Sequence, residues 1–208
     1  YVDGIEGWMA VEEGTGFIGE NFMEATGGTI TTCGNDRIHT FTGPGTFCVS
    51  SLADCSANNQ VSYLVVAGGG GAGYYYGAGG GAGGFREDKS PTTTYTASPL
   101  DGAGDKTVTA TGFPVTVGAG GASATYPTTL GNNGSSSTVF SITSAGGGAG
   151  NGSPSGGSTG NNGGSGGGGG GRSGNARTGG SGNTPSVSPP QGNNGGTIPT
   201  PGSDLGAG

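Results

Sequence analysis

Glycine dominates the last third of this chain and limits what it can fold into. Between residues 146 and 174, 17 of 29 residues are glycine, and most of the others are Ser, Asn, Ala, Pro and Thr. Because glycine has no Cβ, the stretch adds no side chains to a core, and ordering it is costly in backbone entropy. It must therefore stay disordered or be held by close packing of backbone against backbone.

Composition favours a fibrous protein over an enzyme. The 208 residues include 55 glycines, and 9 % of residues are charged, against about 25 % in an ordinary soluble domain. The net charge of −7 disfavours a nucleic-acid partner, since a phosphate backbone attracts basic surfaces. No stretch approaches the roughly 18 apolar residues of a membrane span, so membrane insertion is not expected.

Three zones differ in composition. Residues 1–24 hold six of the thirteen acidic residues and are predicted to form a short hairpin and an extended connector. Residues 25–67 are rich in β-branched and aromatic residues and are predicted to form a small β domain. Residues 68–208 are the glycine-rich zone. The chain begins in what reads as the middle of a strand, which suggests a fragment of a longer polypeptide.

The predicted strands lie at 29–33, 37–42, 46–50, 61–67, about 107–118 and 137–144. Gly34-Asn35 and Gly43-Pro44-Gly45 separate the first three and have the composition of hairpin turns. The apolar run at 61–67 is expected to be buried on both faces. Pro114 restricts its strand to a sheet edge or a bulge.

These patterns predict a mostly β fold. A small antiparallel sheet is followed by extended glycine-rich helices of the polyproline II type, or by loops. The tract is not collagen, because Asn161-Asn162-Gly163-Gly164 breaks the strict repeat of glycine at every third residue. No window has helical periodicity.

Two apparent cofactor motifs are rejected. The run Gly68–Gly73 matches the dinucleotide pattern G-x-G-x-x-G. The tyrosines and glycines after it cannot open the helix that such a site requires. Cys33, His39, Cys48 and Cys55 lack the short C-x-x-C spacing of structural zinc sites. We expect no cofactor, no metal and no catalytic residue.

The cysteines leave their pairing open. Cys48 and Cys55 could close a short loop as a disulfide, Cys33 and Cys48 could join strands, or all three could remain free in a reducing cytoplasm. The adjacent acids Glu87 and Asp88 are expected to be solvated.

Tyr74-Tyr75-Tyr76 is the most conspicuous aromatic cluster. Its flanking glycines place it at a loop tip or against a neighbouring chain. Aromatic rings serve both as anchors in protein interfaces and as packing surfaces. The cluster is therefore a candidate receptor contact or inter-chain contact.

Several segments together resemble the glycine-rich domain of bacteriophage tail fibres and related virion fibres. The matching segments include Ala25-Thr26-Gly27-Gly28-Thr29, Arg37–Thr42, Gly45-Thr46-Phe47, Tyr63–Gly73, Gly80–Arg86 and Val115–Gly121. The family often ends in a Gly-Ser-Gly and a Val/Ile-rich strand, whereas this sequence stops at Gly206-Ala207-Gly208. The opening Tyr1-Val2-Asp3-Gly4 resembles the last strand of a module that precedes such domains.

The resemblance implies a structural and adhesive part of a virion fibre, assembled in the host cytoplasm. A slim module with little core is expected to form a homotrimer. Its partners would be other virion proteins and a host surface glycan or protein. A purely structural fibre attached to the capsid or tail is the main rival to this interpretation. The glycine content is also compatible, though less so, with an ice-binding protein or a cell-wall glycine-rich protein.

Overall fold

The structure is a computed structural model that describes residues 2–3, 7–8, 21–89, 95–102, 106–154, 156–171 and 176–198. The described part is mostly β, as the sequence predicts. Its strands are β1 Val2–Asp3, β2 Gly7–Trp8, β3 Glu24–Thr26, β4 Thr29–Cys33, β5 Asp36–Thr40, β6 Gly45–Ser51, β7 Gln60–Val61, β8 Tyr63–Val66, β9 Phe85–Asp88, β10 Lys106–Thr107, β11 Gly112–Val115, β12 Ser137–Val139 and β13 Ile142–Ser144. A single 3-10 turn covers Ser56–Asn58 in the described residues.

A three-stranded antiparallel sheet of order β11-β6-β3 carries the largest side-chain core. Phe47 and Val49 on β6 are 7 % and 2 % exposed. The ring of Phe47 packs edge-on against His39 at 5.0 Å and against Phe140 at 5.8 Å, and Phe113 lies 6.4 Å away. One aromatic side chain from the central strand therefore joins three other segments of the chain.

The hairpins only partly follow the prediction. β4 pairs with β5 across Gly34-Asn35, as predicted, and Gly34 has a φ of 59° that this tight turn favours. The turn predicted at Gly43-Pro44-Gly45 is wrong as a hairpin. β5 does not pair with β6, which instead pairs with β3 and β11.

The prediction that residues 61–67 are buried on both faces is wrong. Val65 and Ala67 are buried, but Leu64 and Val66 are 59 % and 52 % exposed. Among the described strands β8 pairs with β9 alone, and only one face of this two-stranded sheet is covered. The apolar run therefore alternates between buried and exposed residues despite its uniform composition.

Each of the two later predicted strands is divided into two strands in the structure. The stretch predicted at 107–118 is divided between β10, which pairs with β7, and β11 at the edge of the three-stranded sheet. Pro114 on β11 sits at that edge, as predicted. The stretch at 137–144 folds back as the hairpin β12–β13 through Phe140 and Ser141, whose φ values are 53° and 65°.

Extended glycine-rich segments make up much of the described chain after β8, and we call them together the glycine bundle. They cover 67–74, 78–84, 118–124, 129–135, 145–152, 158–163, 164–171, 177–183 and 191–198. Their backbone N–H groups donate laterally to the carbonyl groups of other segments. The glycine content left two outcomes, disorder or close packing of backbone against backbone. The described part of the tail shows the close packing.

Hydrogen bonds in the glycine bundle repeat every three residues. Segment 67–74 donates to 78–84 through Ala67, Gly70 and Gly73, which bond to Gly84, Gly81 and Ala78 at 2.8–3.0 Å. It donates to 129–135 through Gly68, Gly71 and Tyr74, which bond to Ser135, Asn132 and Thr129 at 2.9–3.0 Å. It accepts from 118–124 through Gly69 and Ala72, which receive bonds from Gly121 and Ala124 at 2.8 Å. Every third residue of segment 67–74 is therefore hydrogen-bonded to the same neighbouring segment.

The segments approach too closely for most side chains. A Cβ built on Gly148 would overlap the carbonyl oxygen of Asn161, and one on Gly180 would overlap the same oxygen. Ala149 is accommodated and is completely buried. Glycine is therefore needed wherever a Cα faces a neighbouring carbonyl group, and alanine fits at the remaining positions.

The order of segments and strands gives the glycine bundle two different ends. Segment 67–74 leaves β8, segment 78–84 returns to β9, and segment 129–135 returns to β12. The strands β8, β9 and β12 therefore lie at one end. The turns at 75–77, 125–128 and 153–154 lie at the opposite end, which we call the tip. Segment 164–171 also ends there, since the Gly171 N–H donates to the Tyr76 carbonyl group at 2.9 Å.

Candidate contact surface at the tip

Three tyrosines form an exposed cluster at the tip. Tyr74, Tyr75 and Tyr76 are 40 %, 49 % and 39 % exposed. The ring centroids of Tyr74 and Tyr75 are 6.1 Å apart, those of Tyr75 and Tyr76 are 5.2 Å apart, and both pairs meet edge to face. The sequence analysis placed this cluster at a loop tip or against a neighbouring chain. In the structure it lies in the loop after segment 67–74, and its role as a receptor or inter-chain contact stays a prediction.

Backbone hydrogen bonds fix the cluster to two neighbouring loops. The Tyr74 N–H donates to the Thr129 carbonyl group at 3.0 Å, and the Ser153 N–H donates to the Tyr75 carbonyl group at 3.1 Å. A fourth tyrosine, Tyr126, lies in the loop between segments 118–124 and 129–135 and is 81 % exposed. We call Tyr74, Tyr75, Tyr76 and Tyr126 the tyrosine tip.

The backbone of this loop is in an unusual conformation. Tyr75 and Tyr76 have φ values of 61° and 54°, in the left-handed region that bulky residues rarely adopt. Each such residue costs of order 1 kcal/mol, and strained residues of this kind cluster at functional sites. The sequence could not predict this, since consecutive tyrosines carry no turn signature.

The cysteines and the histidine lie in the β domain. All three cysteines are free thiols, so the candidate disulfide between Cys48 and Cys55 is not formed in this structure. The Nδ1–H of His39 donates to the Gly27 carbonyl group at 2.8 Å, and its imidazole ring packs on Phe47. His39 therefore has a structural role in the core.

Two acidic residues contradict the expectation that they are solvated. Glu87 and Asp88 on β9 are 8 % and 5 % exposed. The Glu87 carboxylate accepts a bond from the Ser98 N–H at 2.9 Å, and the Asp101 carboxylate accepts one from the Lys89 N–H at 2.8 Å. These carboxylates tie the loop at 95–102 to β9.

The pKa values of two tyrosines beside these carboxylates are raised. Burial raises the pKa of Tyr63, and the negative charge of Asp88 adds to the effect. Burial also raises the pKa of Tyr95, with further contributions from the charge of Glu87 and a hydrogen bond to it. Both environments favour the neutral phenol. Within the described residues, no group of three His, Cys, Asp or Glu side chains is placed to hold a metal ion.

Arg177 is a buried cation in the glycine bundle. It is 0 % exposed, and its Nε, Nη1 and Nη2 atoms have no hydrogen-bond partner in the described structure. Its backbone pairs with that of Ile198 through bonds of 2.8 and 3.1 Å. A buried charge without a partner is strongly unfavourable.

Replacing Arg177 with methionine is therefore expected to stabilise the protein. The change removes a desolvated charge and keeps a long side chain. We expect the free energy of unfolding to rise by about 1–3 kcal/mol, the scale for exchanging buried ions for apolar residues. Denaturant unfolding of the wild type and Arg177→Met measures it. A loss of stability in Arg177→Met would mean that the guanidinium group has an anionic partner.

The fold and the exposed tyrosines define a mostly β, glycine-rich protein with an exposed loop tip. The glycine-rich domain family matches residues 41–208, and the chain belongs to this family. No curated protein and no solved structure matches the chain significantly. Among the described residues, no helix is long and apolar enough to cross a membrane.

Proposed function

We propose that this chain is a structural and adhesive component of a bacteriophage virion fibre. The observation that carries the proposal is the division of the glycine bundle into a strand end and a loop end. The strand end continues into the β domain, and the loop end exposes the tyrosine tip. Loops on a rigid scaffold can vary without disturbing the elements they connect, which suits a host-contact surface.

We propose further that the segments of the glycine bundle are threefold helices of the polyproline II type. Such helices have three residues per turn and no internal hydrogen bonds, so their backbone groups are free to bond sideways. Two features support this assignment: the repeat of three residues in the lateral hydrogen bonds, and the use of glycine where segments are closest. A bundle of this kind is stiff without a large side-chain core.

A homotrimer is the assembly that we propose for this fibre. Leu64 and Val66 give β8 an exposed apolar face, and burial of such a face contributes about 25 cal/mol per Å². The face lies at the strand end, leaving the tip free for a receptor. Sedimentation equilibrium tests this directly, with a trimer expected and a monomer at micromolar concentration contradicting it.

The fibre proposal is tested on virus particles. Immunogold electron microscopy, with antibodies raised against the purified chain, should label fibres of the phage that encodes it. Absence of the chain from purified particles would overturn the proposal. Adding the purified chain to host cells should also reduce phage adsorption. Labelled fibres with undiminished adsorption would support a purely structural fibre instead.

A further inference from the structure

We propose that the glycine bundle encloses a small inorganic oxyanion, phosphate or sulfate, bound by the guanidinium group of Arg177. The site goes beyond the proposed function and does not depend on an adhesive role for the chain. Three properties of Arg177 carry it: the complete burial of its side chain, the lack of a partner for its nitrogen atoms in the described structure, and its distance from the buried carboxylates.

The guanidinium group of Arg177 is a buried donor without an acceptor. The side chain is 0 % exposed, and Nε, Nη1 and Nη2 have no hydrogen-bond partner in the described structure. Arginine stays protonated in proteins and carries five N–H donors, so it cannot avoid the cost of burial by losing its charge. Orphaned donors of this kind call for an explanation, and a bound anion also supplies the missing charge.

The glycine bundle itself offers no countercharge to Arg177. Its segments contain no Asp, Glu or Lys, and Arg177 is their only charged residue. The buried carboxylates of Glu87 and Asp88 lie on β9, where segment 78–84 returns to the strands. After residue 105 the sequence has one acidic residue, Asp204, which lies outside the described residues.

The backbone places Arg177 at the tip end of the bundle, away from the carboxylates of β9. Segment 191–198 begins at the strand end, where the Phe85 N–H donates to the Gln191 carbonyl group at 2.9 Å. It ends at Ile198, which exchanges two backbone hydrogen bonds with Arg177. Seven residues of extended backbone span about 20 Å, so the carboxylates of β9 are too distant to neutralise Arg177.

The shape and the burial of the guanidinium group define the class of ligand. Its planar fork donates two parallel N–H···O bonds to one phosphate or carboxylate group, and sulfate presents the same tetrahedral oxygens as phosphate. A chloride ion has no pair of acceptors to match the fork. Because Arg177 is completely covered, its ligand must be small enough to be enclosed with it. A free inorganic ion meets this condition better than an anionic group on a polymer.

Isothermal titration calorimetry of the full chain with inorganic phosphate tests the proposal. Arg177→Met is the test variant, and Arg37→Met is the matched control, because Arg37 on β5 is exposed. Sodium chloride at equal ionic strength accounts for general screening of charge. We expect the wild type and Arg37→Met to bind one phosphate per chain. Arg177→Met should bind at least about tenfold more weakly, because it loses hydrogen bonds to a charged group.

Denaturant unfolding gives a second readout of the same site. In buffer without phosphate or sulfate, Arg177→Met should be more stable than the wild type, because the buried charge then has no partner. Phosphate should lower the unfolding equilibrium constant of the wild type and of Arg37→Met by the factor 1 + [phosphate]/Kd. Phosphate and sulfate also stabilise proteins through exclusion from their surface. Since that effect is common to all variants, the additional gain over Arg177→Met reports the site.

Two results would overturn the proposal directly. They are the absence of phosphate and sulfate binding to the wild type, and equal binding by the wild type and a folded Arg177→Met. The variant Asp204→Asn distinguishes a free ion from a carboxylate of the chain. Unchanged stability in Asp204→Asn supports the free ion. If Asp204→Asn destabilises the wild type but not Arg177→Met, Asp204 is the partner and the proposal is wrong.

Discussion

Alanine at Gly121 is expected to unfold the glycine bundle, whereas alanine at the neighbouring Gly120 is expected to be tolerated. A Cβ at Gly121 would overlap the carbonyl oxygen of Asn132, which accepts a hydrogen bond from the Gly71 N–H at 2.9 Å. The neighbouring atoms are backbone and cannot rotate away. The clash and the displaced hydrogen bond together are expected to cost about 3 kcal/mol or more.

Gly120 provides a matched control in the same segment. A Cβ there would lie 3.7 Å from the nearest atom, the carbonyl oxygen of Gly69, which is an ordinary contact. Because alanine restricts the unfolded chain, Gly120→Ala should be neutral or stabilising by up to about 1 kcal/mol. Denaturant unfolding of the two variants measures the difference. Equal stabilities would contradict the close backbone packing of the bundle.

Removal of the Phe47 ring is expected to have the second large effect. The side chain is 7 % exposed and contacts His39, Phe113 and Phe140, so truncation to alanine leaves a cavity among these three rings. Phe→Ala changes of this kind cost about 3–5 kcal/mol. Phe47→Ala should therefore lose that much free energy of unfolding.

Phe22→Ala is the comparison for Phe47→Ala. Because Phe22 is 67 % exposed, its truncation should change stability by less than about 0.5 kcal/mol. A cost below about 1 kcal/mol for Phe47→Ala would show that the three-stranded sheet does not depend on this core. Circular dichroism during denaturant unfolding reports both variants.

Local composition was enough to predict the β content, the Gly34-Asn35 hairpin and the edge position of Pro114. Each depends on a residue with a strong conformational preference of its own. Burial was harder to predict. Leu64 and Val65 are apolar neighbours, yet of these two only Val65 is buried, because the strand has one partner among the described strands and one covered face. The sequence alone does not show how many faces of a strand other elements cover.

The hairpin at Phe140 and Ser141 was not predicted, because it too depends on tertiary contacts. Both residues have positive φ values, which a two-residue turn of this kind requires, but neither is the usual Gly or Asn. The Phe140 ring packs at 5.1 Å from Phe113 and 5.8 Å from Phe47. This tertiary packing offsets the local strain, and no local pattern reveals it.

The conformation of the tip could not be predicted from the sequence. Flanking glycines indicated a loop at Tyr74–Tyr76, yet the left-handed backbone and the place of Tyr126 at the same end depend on how distant segments align. The burial of Glu87 and Asp88 depends in the same way on a loop that begins several residues later in the chain. Adjacent acids in a sequence give no sign of such coverage.

Amide hydrogen exchange measured by NMR is the most direct test of the central claim, that backbone hydrogen bonds hold the glycine bundle together. The N–H groups of Gly81, Gly148 and Gly180 each donate to another segment at 2.8–2.9 Å. They should exchange at least about a thousandfold more slowly than unfolded glycine, since only opening of the bundle exposes them. Exchange of these three amides at the rate of an unfolded chain would contradict the account.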